Sequence, residues 1–205
     1  MQHKQRDIIV CAGKTGFGKS YLIKNEVVPF YSRIVIFDIK DEYHSFEDFP
    51  LENSFVVFYE VEEFREYIKE HFQDETLKII LRFKVVEGLD VQQSYETALA
   101  ICFAAEDLTI VIEEISNFAS PHYYTPLLEQ LLRYGRHSRL SLICSTQRIG
   151  DVGVLLLTNC DAICIFRLPD NNDISRLKNL SFVPDEQADQ VGQLPPHKFI
   201  LFTNI

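Results

Sequence analysis

"IIVCAGKTGFGKSYLIK", residues 8–24, carries three signals in one short stretch. Ile8–Ala12 is apolar and rich in β-branched residues, the composition of a buried strand. Lys19–Phe30 reads as a helix, stopped near Pro29. Between them, Gly13–Ser20 fits the spacing G-x-x-x-x-G-K-[ST]. Gly13, Gly16 and Gly18 permit a tight turn and let backbone N–H groups approach phosphate oxygens. A helix opening directly after such a loop adds partial positive charge. Lys19 is spaced to reach terminal phosphates, and the Ser20 hydroxyl to bind Mg²⁺. Lys14, Thr15, Phe17 and Tyr21 complete the candidate phosphate-binding stretch. A plain glycine-rich turn is the competing reading, but it needs neither the strand before it nor the helix after it.

Outward from this motif, apolar runs alternate with helical ones. Strands are expected at Arg33–Asp38, Phe55–Tyr59, Lys78–Phe83, Leu108–Glu113, Leu140–Ser145, Ala162–Arg167 and His197–Phe202. Helices are expected at Val61–His71, Val91–Ala105, Pro126–Tyr134, Val152–Leu157 and Asn172–Leu180. Near-continuous apolar strands separated by helices imply a mostly parallel sheet covered on both faces. The expected fold class is therefore α/β, a three-layer single domain over residues 1–205.

Composition narrows the functional classes. No apolar run reaches the length of about 18 residues needed to span a bilayer. The start, MQHKQRDIIV, lacks the apolar core of a signal peptide, so a cytoplasmic setting without membrane insertion is expected. Cys11, Cys102, Cys144, Cys160 and Cys164 form no C-x-x-C pair and read as buried free thiols. The net charge of −10 excludes a general polyanion binder, so any nucleic-acid contact must come from a local patch. Arg133, Arg136, Arg139 and Arg148 fall in a stretch with one acid, Glu129, and could equally be a solvated helix face.

A phosphate loop that works with Mg²⁺ needs an acidic partner, and "LTIVIEEIS", residues 108–116, supplies two. Consecutive strand residues point to opposite sides, so Glu113 and Glu114 are expected to do different work. Glu113 would hold the metal shell, and Glu114 would accept the proton of an attacking water or orient that water. The reverse assignment stays open, as do two exposed acids opening a loop. Asp is usual at the metal position; the longer Glu113 favours contact through water. A second carboxylate points to a hydrolase more than to a kinase. No N-K-x-D motif supports a GTPase.

Five ordered features then resemble the FtsK–HerA group of P-loop DNA-translocating ATPases. They are GKTGFGKS (13–20), IVIFDIKDEY (34–43) with its D-x-x-x-E-Y, IVIEE (110–114), RYGRHSRLSLICSTQR (133–148) and LPPHKFILF (194–202). The chain looks most like the small single-domain genome-packaging ATPases of tailless icosahedral viruses with an internal membrane. The resemblance implies a RecA-like, additional-strand P-loop NTPase with ATP and Mg²⁺ as cofactors. It implies that the strand ending in Gln147 lies between the phosphate-loop strand and the carboxylate strand. Gln147 would then sense the γ-phosphate, while Arg136 would reach ATP on the next subunit, with Arg133 and Arg139 as rivals. A hexameric ring around double-stranded DNA follows, with capsid or membrane-vertex proteins as further partners. Candidate DNA contacts are Asn117, His122, Tyr123 and Tyr124 in the loop Ser116–Thr125, and the stretch Val86–Ser94; packing is the alternative for the aromatics. Arg148 is divided between phosphate sensing and a subunit contact. The rival functions are a cellular HerA-like ATPase in DNA processing or conjugation, a small-molecule or nucleoside kinase, and a morphogenesis ATPase acting on protein.

Overall fold

A computed structural model describes residues 6–39, 41, 43, 55–82 and 91–204. Its strands are β1 (Ile8–Ala12), β2 (Arg33–Phe37), β3 (Val56–Phe58), β4 (Leu77–Leu81), β5 (Thr109–Ile112), β6 (Ala119–Ser120), β7 (Tyr123–Tyr124), β8 (Ser141–Thr146), β9 (Ala162–Ile165) and β10 (Ile200–Thr203). Its α-helices are α1 (Lys19–Leu22), α2 (Val61–His71), α3 (Val91–Ala105), α4 (Pro126–Tyr134), α5 (Val154–Asn159), α6 (Asn171–Lys178) and α7 (Asp185–Gln190). Eight strands form one sheet in the order β10-β9-β1-β8-β5-β2-β4-β3. All its pairs are parallel except β10 with β9.

The sheet separates two apolar layers, and alternation along each strand decides which residue joins which. Val10, Val35, Phe37, Ile110, Ile112 and Leu142 face the larger core, which α2 to α6 close. Cys11, Ile34, Ile36, Val111 and Ile143 face the other side, against Leu22, Ile23 and Val28. A fully buried side chain of this size contributes about 1.5–3 kcal/mol. The result is the three-layer α/β architecture, with β8 lying between β1 and β5 in the expected place.

Several local expectations shift. The segment after the glycine-rich loop stays helical to Phe30, but α1 passes into a π-type turn at Ile23–Val27 and a 3₁₀ turn at Val28–Phe30. Pro29, with its fixed φ and missing N–H, fits the tighter last turn. The short β6–β7 hairpin and α7 carry too few apolar residues for periodicity to reveal them. Cys160 is the C-cap of α5. Phe83, the stretch 86–90 and most of the loop 41–54, including Glu42, lie outside the described residues. Among the described residues no helix is long and apolar enough to cross a membrane.

All five cysteines are buried and free. Burial pushes the Cys102 and Cys144 thiols up, and that of Cys160 to about 12. A hydrogen bond to Cys164, joined by burial, raises Cys11, while the same contact lowers Cys164. Thiols titrating above ambient pH stay protonated and unreactive. Ellman's reagent at about pH 8 should find at most one fast-reacting thiol, Cys164, in the native protein and all five in denaturant. Two or more fast native thiols would contradict this packing.

Candidate active site

The C-terminal ends of β1, β8 and β5 lie side by side, and each contributes to one cavity of about 280 Å³. From the loop after β1 come Thr15, Gly16, Gly18, Lys19, Ser20 and Tyr21; from the other two strands come Glu113, Glu114 and Gln147. The turn is pinned at its start, where Gly13 N donates to Thr146 O (3.1 Å) and Lys14 N to Arg167 O (2.9 Å). Gly13 has φ 145°, and a Cβ there would stand 2.6 Å from the Cβ of Phe166. Gly18 has φ 105°, and its Cβ would meet His197 Nδ1 at 2.9 Å. Backbone sign and space both exclude a side chain at these two positions. Buried Lys19 donates from Nζ to Gly13 O (2.6 Å) and Lys14 O (3.3 Å), which holds its ammonium beneath the loop. Lys14 and Phe17 stand outside the cavity, where the Phe17 ring lies within 5.9 Å of Lys14 Nζ and 6.0 Å of the Arg167 guanidinium carbon.

The two carboxylates reach the cavity by different routes. Glu113 is 2% exposed and accepts hydrogen bonds from Tyr43 Oη (2.8 Å) and from Ser145 Oγ. Glu114 sits at φ 56°, ψ 63°, a left-handed conformation that costs a non-glycine residue about 1–2 kcal/mol. That turn brings Glu114 into the same cavity as Glu113, whereas continued strand would have sent the two side chains apart. Its carboxylate accepts from Ser116 Oγ (2.8 Å), Gln147 N (3.3 Å) and Gln147 Nε2 (3.1 Å). Ser145 Oγ ties the pair together, since it also accepts from Glu114 N (3.2 Å).

The D-x-x-x-E-Y stretch has a physical explanation here. Asp38, buried at the end of β2, accepts from Tyr43 N (3.2 Å) and from Arg82 Nε (3.2 Å). Arg82 Nη2 donates in turn to Tyr43 O (2.8 Å). The network fixes Tyr43 so that its phenol meets Glu113. Sequence reasoning singled out the motif without giving Tyr43 this contact, and it missed Ser145 and His197, which also line the cavity. The extra polar residue just before the strand end was the available signal for Ser145.

Arg136 stands apart. It is exposed in the turn between α4 and β8, ahead of the N-terminal end of β8. Six strand residues, about 20 Å at 3.3 Å each, separate that edge from the cavity. The rival arginines have partners within the chain: Arg133 pairs with Glu129 (2.9 Å) and Arg139 with Glu106 (4.0 Å). Among the described residues the Arg136 guanidinium makes no hydrogen bond or ion pair, and only the backbone O is engaged, by Arg139 N (3.2 Å). Arg148 is assigned by its contacts. It donates to Asp173 Oδ2 (3.1 Å) and Asp170 Oδ2 (2.6 Å), fastening the end of β8 to α6, and these carboxylates raise its pKa further.

In the loop Ser116–Thr125, Phe118 stacks on Tyr95 with ring centroids 3.8 Å apart. Tyr124 packs against Gly153, and its Oη accepts from Leu156 N (3.2 Å). Tyr124 is thus a packing residue, while Asn117, His122 and Tyr123 remain at the surface.

A glycine-rich phosphate loop on one parallel strand, and a polar-ended strand set between it and the carboxylate strand, define the fold of an additional-strand P-loop NTPase. The chain is similar to the genome packaging NTPase B204 from Sulfolobus turreted icosahedral virus 2. In its complex with ATP-gammaS the TM-score is 0.73 at 21% identity, covering 99% of this chain and 93% of that one. The complex with AMPPCP gives 0.73 at 20% identity, covering 96% and 92%. The pCW3 conjugation coupling protein TcpA, in a monomer form with ATPgS, gives 0.54 at 16% identity, covering all of this chain and 59% of that one. These likenesses are of fold. No family model matches the sequence, and no curated protein does.

Tyr43→Phe removes a donor from a buried carboxylate, which should cost about 1–3 kcal/mol. Urea titration of the folded chain measures this, and an unchanged midpoint would show that the Tyr43–Glu113 contact contributes nothing.

Proposed function

We propose that this chain is a Mg²⁺-dependent ATPase that assembles as a homo-oligomeric ring, hexameric by analogy with its group, and drives double-stranded DNA into a viral capsid. The observation that carries the reading is the division of the site. Phosphate loop, paired carboxylates and Gln147 share one cavity, while the arginine that would complete it lies beyond the opposite, N-terminal end of β8.

The residues fit a hard divalent cation. Ser20 and Glu113 offer oxygen ligands in the same cavity, and two hydroxyls orient the Glu113 carboxylate. Among the described residues no cluster of three or more His, Cys, Asp or Glu side chains could hold a metal. A bound Mg²⁺ would be held by Ser20 and Glu113 and would neutralise charge developing on the phosphates. Lys19 neutralises the terminal phosphates and the loop N–H groups orient them. Glu114 takes the proton of the attacking water. Gln147, held by Glu114 through its amide, is placed to donate to the γ-phosphate once that contact opens. Arg136 cannot reach the cavity of its own chain, so it serves the site of the next subunit.

The similar B204 structures are of a genome packaging NTPase, which favours DNA as the cargo here. Asn117, His122 and Tyr123 would face it and touch phosphates without reading sequence. Capsid or membrane-vertex proteins would dock the ring in the host cytoplasm, with no segment inserted in the membrane.

Lys19→Ala should abolish hydrolysis. Glu114→Gln should bind ATP and fail to turn it over. Arg136→Ala should lower turnover by about 10³–10⁵-fold. Mixing Arg136→Ala with Glu114→Gln should restore activity, because some interfaces then join an intact Glu114 site to an intact Arg136. Phosphate release in such mixtures is the measurement, and a mixture as inactive as its components would sink the trans assignment. Phosphate released without an acceptor, and faster with double-stranded DNA, distinguishes this reading from a kinase.

A further inference from the structure

Beside the phosphate cavity lies a second, of about 610 Å³, and the two share Gly18, Tyr21 and His197. Its walls are Tyr21, Leu22 and Glu26 on one side, with Phe166, His197 and Phe199 on the other. The second wall is tied to the phosphate loop itself. His197 adopts φ 61° and donates from its backbone N to Phe17 O (3.1 Å). Phe166 N donates to Ala12 O (2.8 Å), and the Phe166 and Phe199 ring centroids are 5.3 Å apart. A cavity of this size and apolar lining is of the kind that holds a small ligand. Its position fits one part of a nucleotide whose phosphates lie on the loop, namely the base.

We infer that this second cavity is a nucleobase subsite that accepts a purine by stacking and does not distinguish adenine from guanine. The inference rests on the nucleotide-binding reading above and adds what the site selects. The enclosed part of the cavity is apolar, with Leu22 and Phe166 buried. The exposed part offers two more aromatic faces, Tyr21 and Phe199. Its polar groups, on Glu26, His197 and Tyr21, all belong to solvent-exposed residues, so hydrogen bonds from them to a base edge compete with water. Strong discrimination between bases of similar shape requires buried polar groups that the wrong base leaves unpaired, and an apolar pocket cannot supply it. Stacking rewards ring area, which favours the two fused rings of a purine over a pyrimidine.

Equilibrium binding of ATP, GTP, CTP and inorganic tripolyphosphate to the full chain tests this. Tripolyphosphate probes the phosphate loop alone. ATP and GTP should bind within about fivefold of each other, since apolar pockets discriminate weakly. CTP should bind about tenfold more weakly, and Phe199→Ala should weaken both purine nucleotides by about tenfold through lost stacking. Tripolyphosphate should bind Phe199→Ala as it binds the parent chain, which also establishes that the variant is folded. Glu26→Gln should leave the ATP-to-GTP ratio unchanged. A preference for ATP over GTP beyond about a hundredfold would overturn the inference, because only a hydrogen-bonded base site achieves it. Phe199→Ala without effect on ATP would overturn it as well. Nucleotide binding with this pattern but no response of hydrolysis to DNA would leave the base subsite standing and remove the packaging role. Failure of every triphosphate to bind would remove both.

Discussion

Everything at the candidate site depends on where β8 lies. Its backbone accepts the Gly13 N–H through Thr146 O, which fixes the entry to the phosphate loop. One residue earlier, Ser145 donates to Glu113 and accepts from Glu114 N. One residue later, Gln147 holds the Glu114 carboxylate through two contacts. The last two residues of β8 and the one that follows thus set the phosphate loop and both carboxylates in a common frame. Strand pairing fixes that frame, because a slip of one residue in β8 would turn Ser145 to the opposite face.

The same strand separates two functions in space. Its C-terminal end enters the cavity, and its N-terminal end follows the turn that exposes Arg136. A rigid strand cannot bring both ends to one phosphate. In the proposed reading Arg136 would therefore act on the site of another copy of the chain, and the catalytic unit would be an interface. Arg148, adjacent in sequence to Gln147, is held against α6 by Asp170 and Asp173. The acidic net charge would be compatible with a DNA cargo if contact fell to small exposed loops.

Much of this was legible in the sequence, for identifiable reasons. The bounds of α2, α3 and α4 matched their apolar and charge patterning residue for residue. The parallel strands were legible because burial on both faces forces continuous apolar runs. The glycine-rich loop was legible because its steric demands leave few alternatives to glycine at Gly13 and Gly18. What stayed hidden depends on contacts between distant residues. The left-handed turn at Glu114 has no local composition signal, yet it decides that both carboxylates meet one cavity. Tyr43 and Glu113 are far apart in sequence, and only the β2–β5 pairing brings them into reach. His197 joins the site through a backbone bond to Phe17 that no pattern within residues 194–202 announces. For Tyr124 the sequence left DNA contact and packing as alternatives, and packing on Gly153 with a bond from Leu156 N is what the fold gives it.

The central claim is that one chain holds an incomplete site which a neighbour completes. Turnover per chain, measured in a dilution series with molecular mass followed in parallel, tests it most directly. The account predicts that turnover per chain falls with the fraction of assembled chains and vanishes for the monomer. A rate per chain that stays constant down to concentrations where only monomer is present would contradict it.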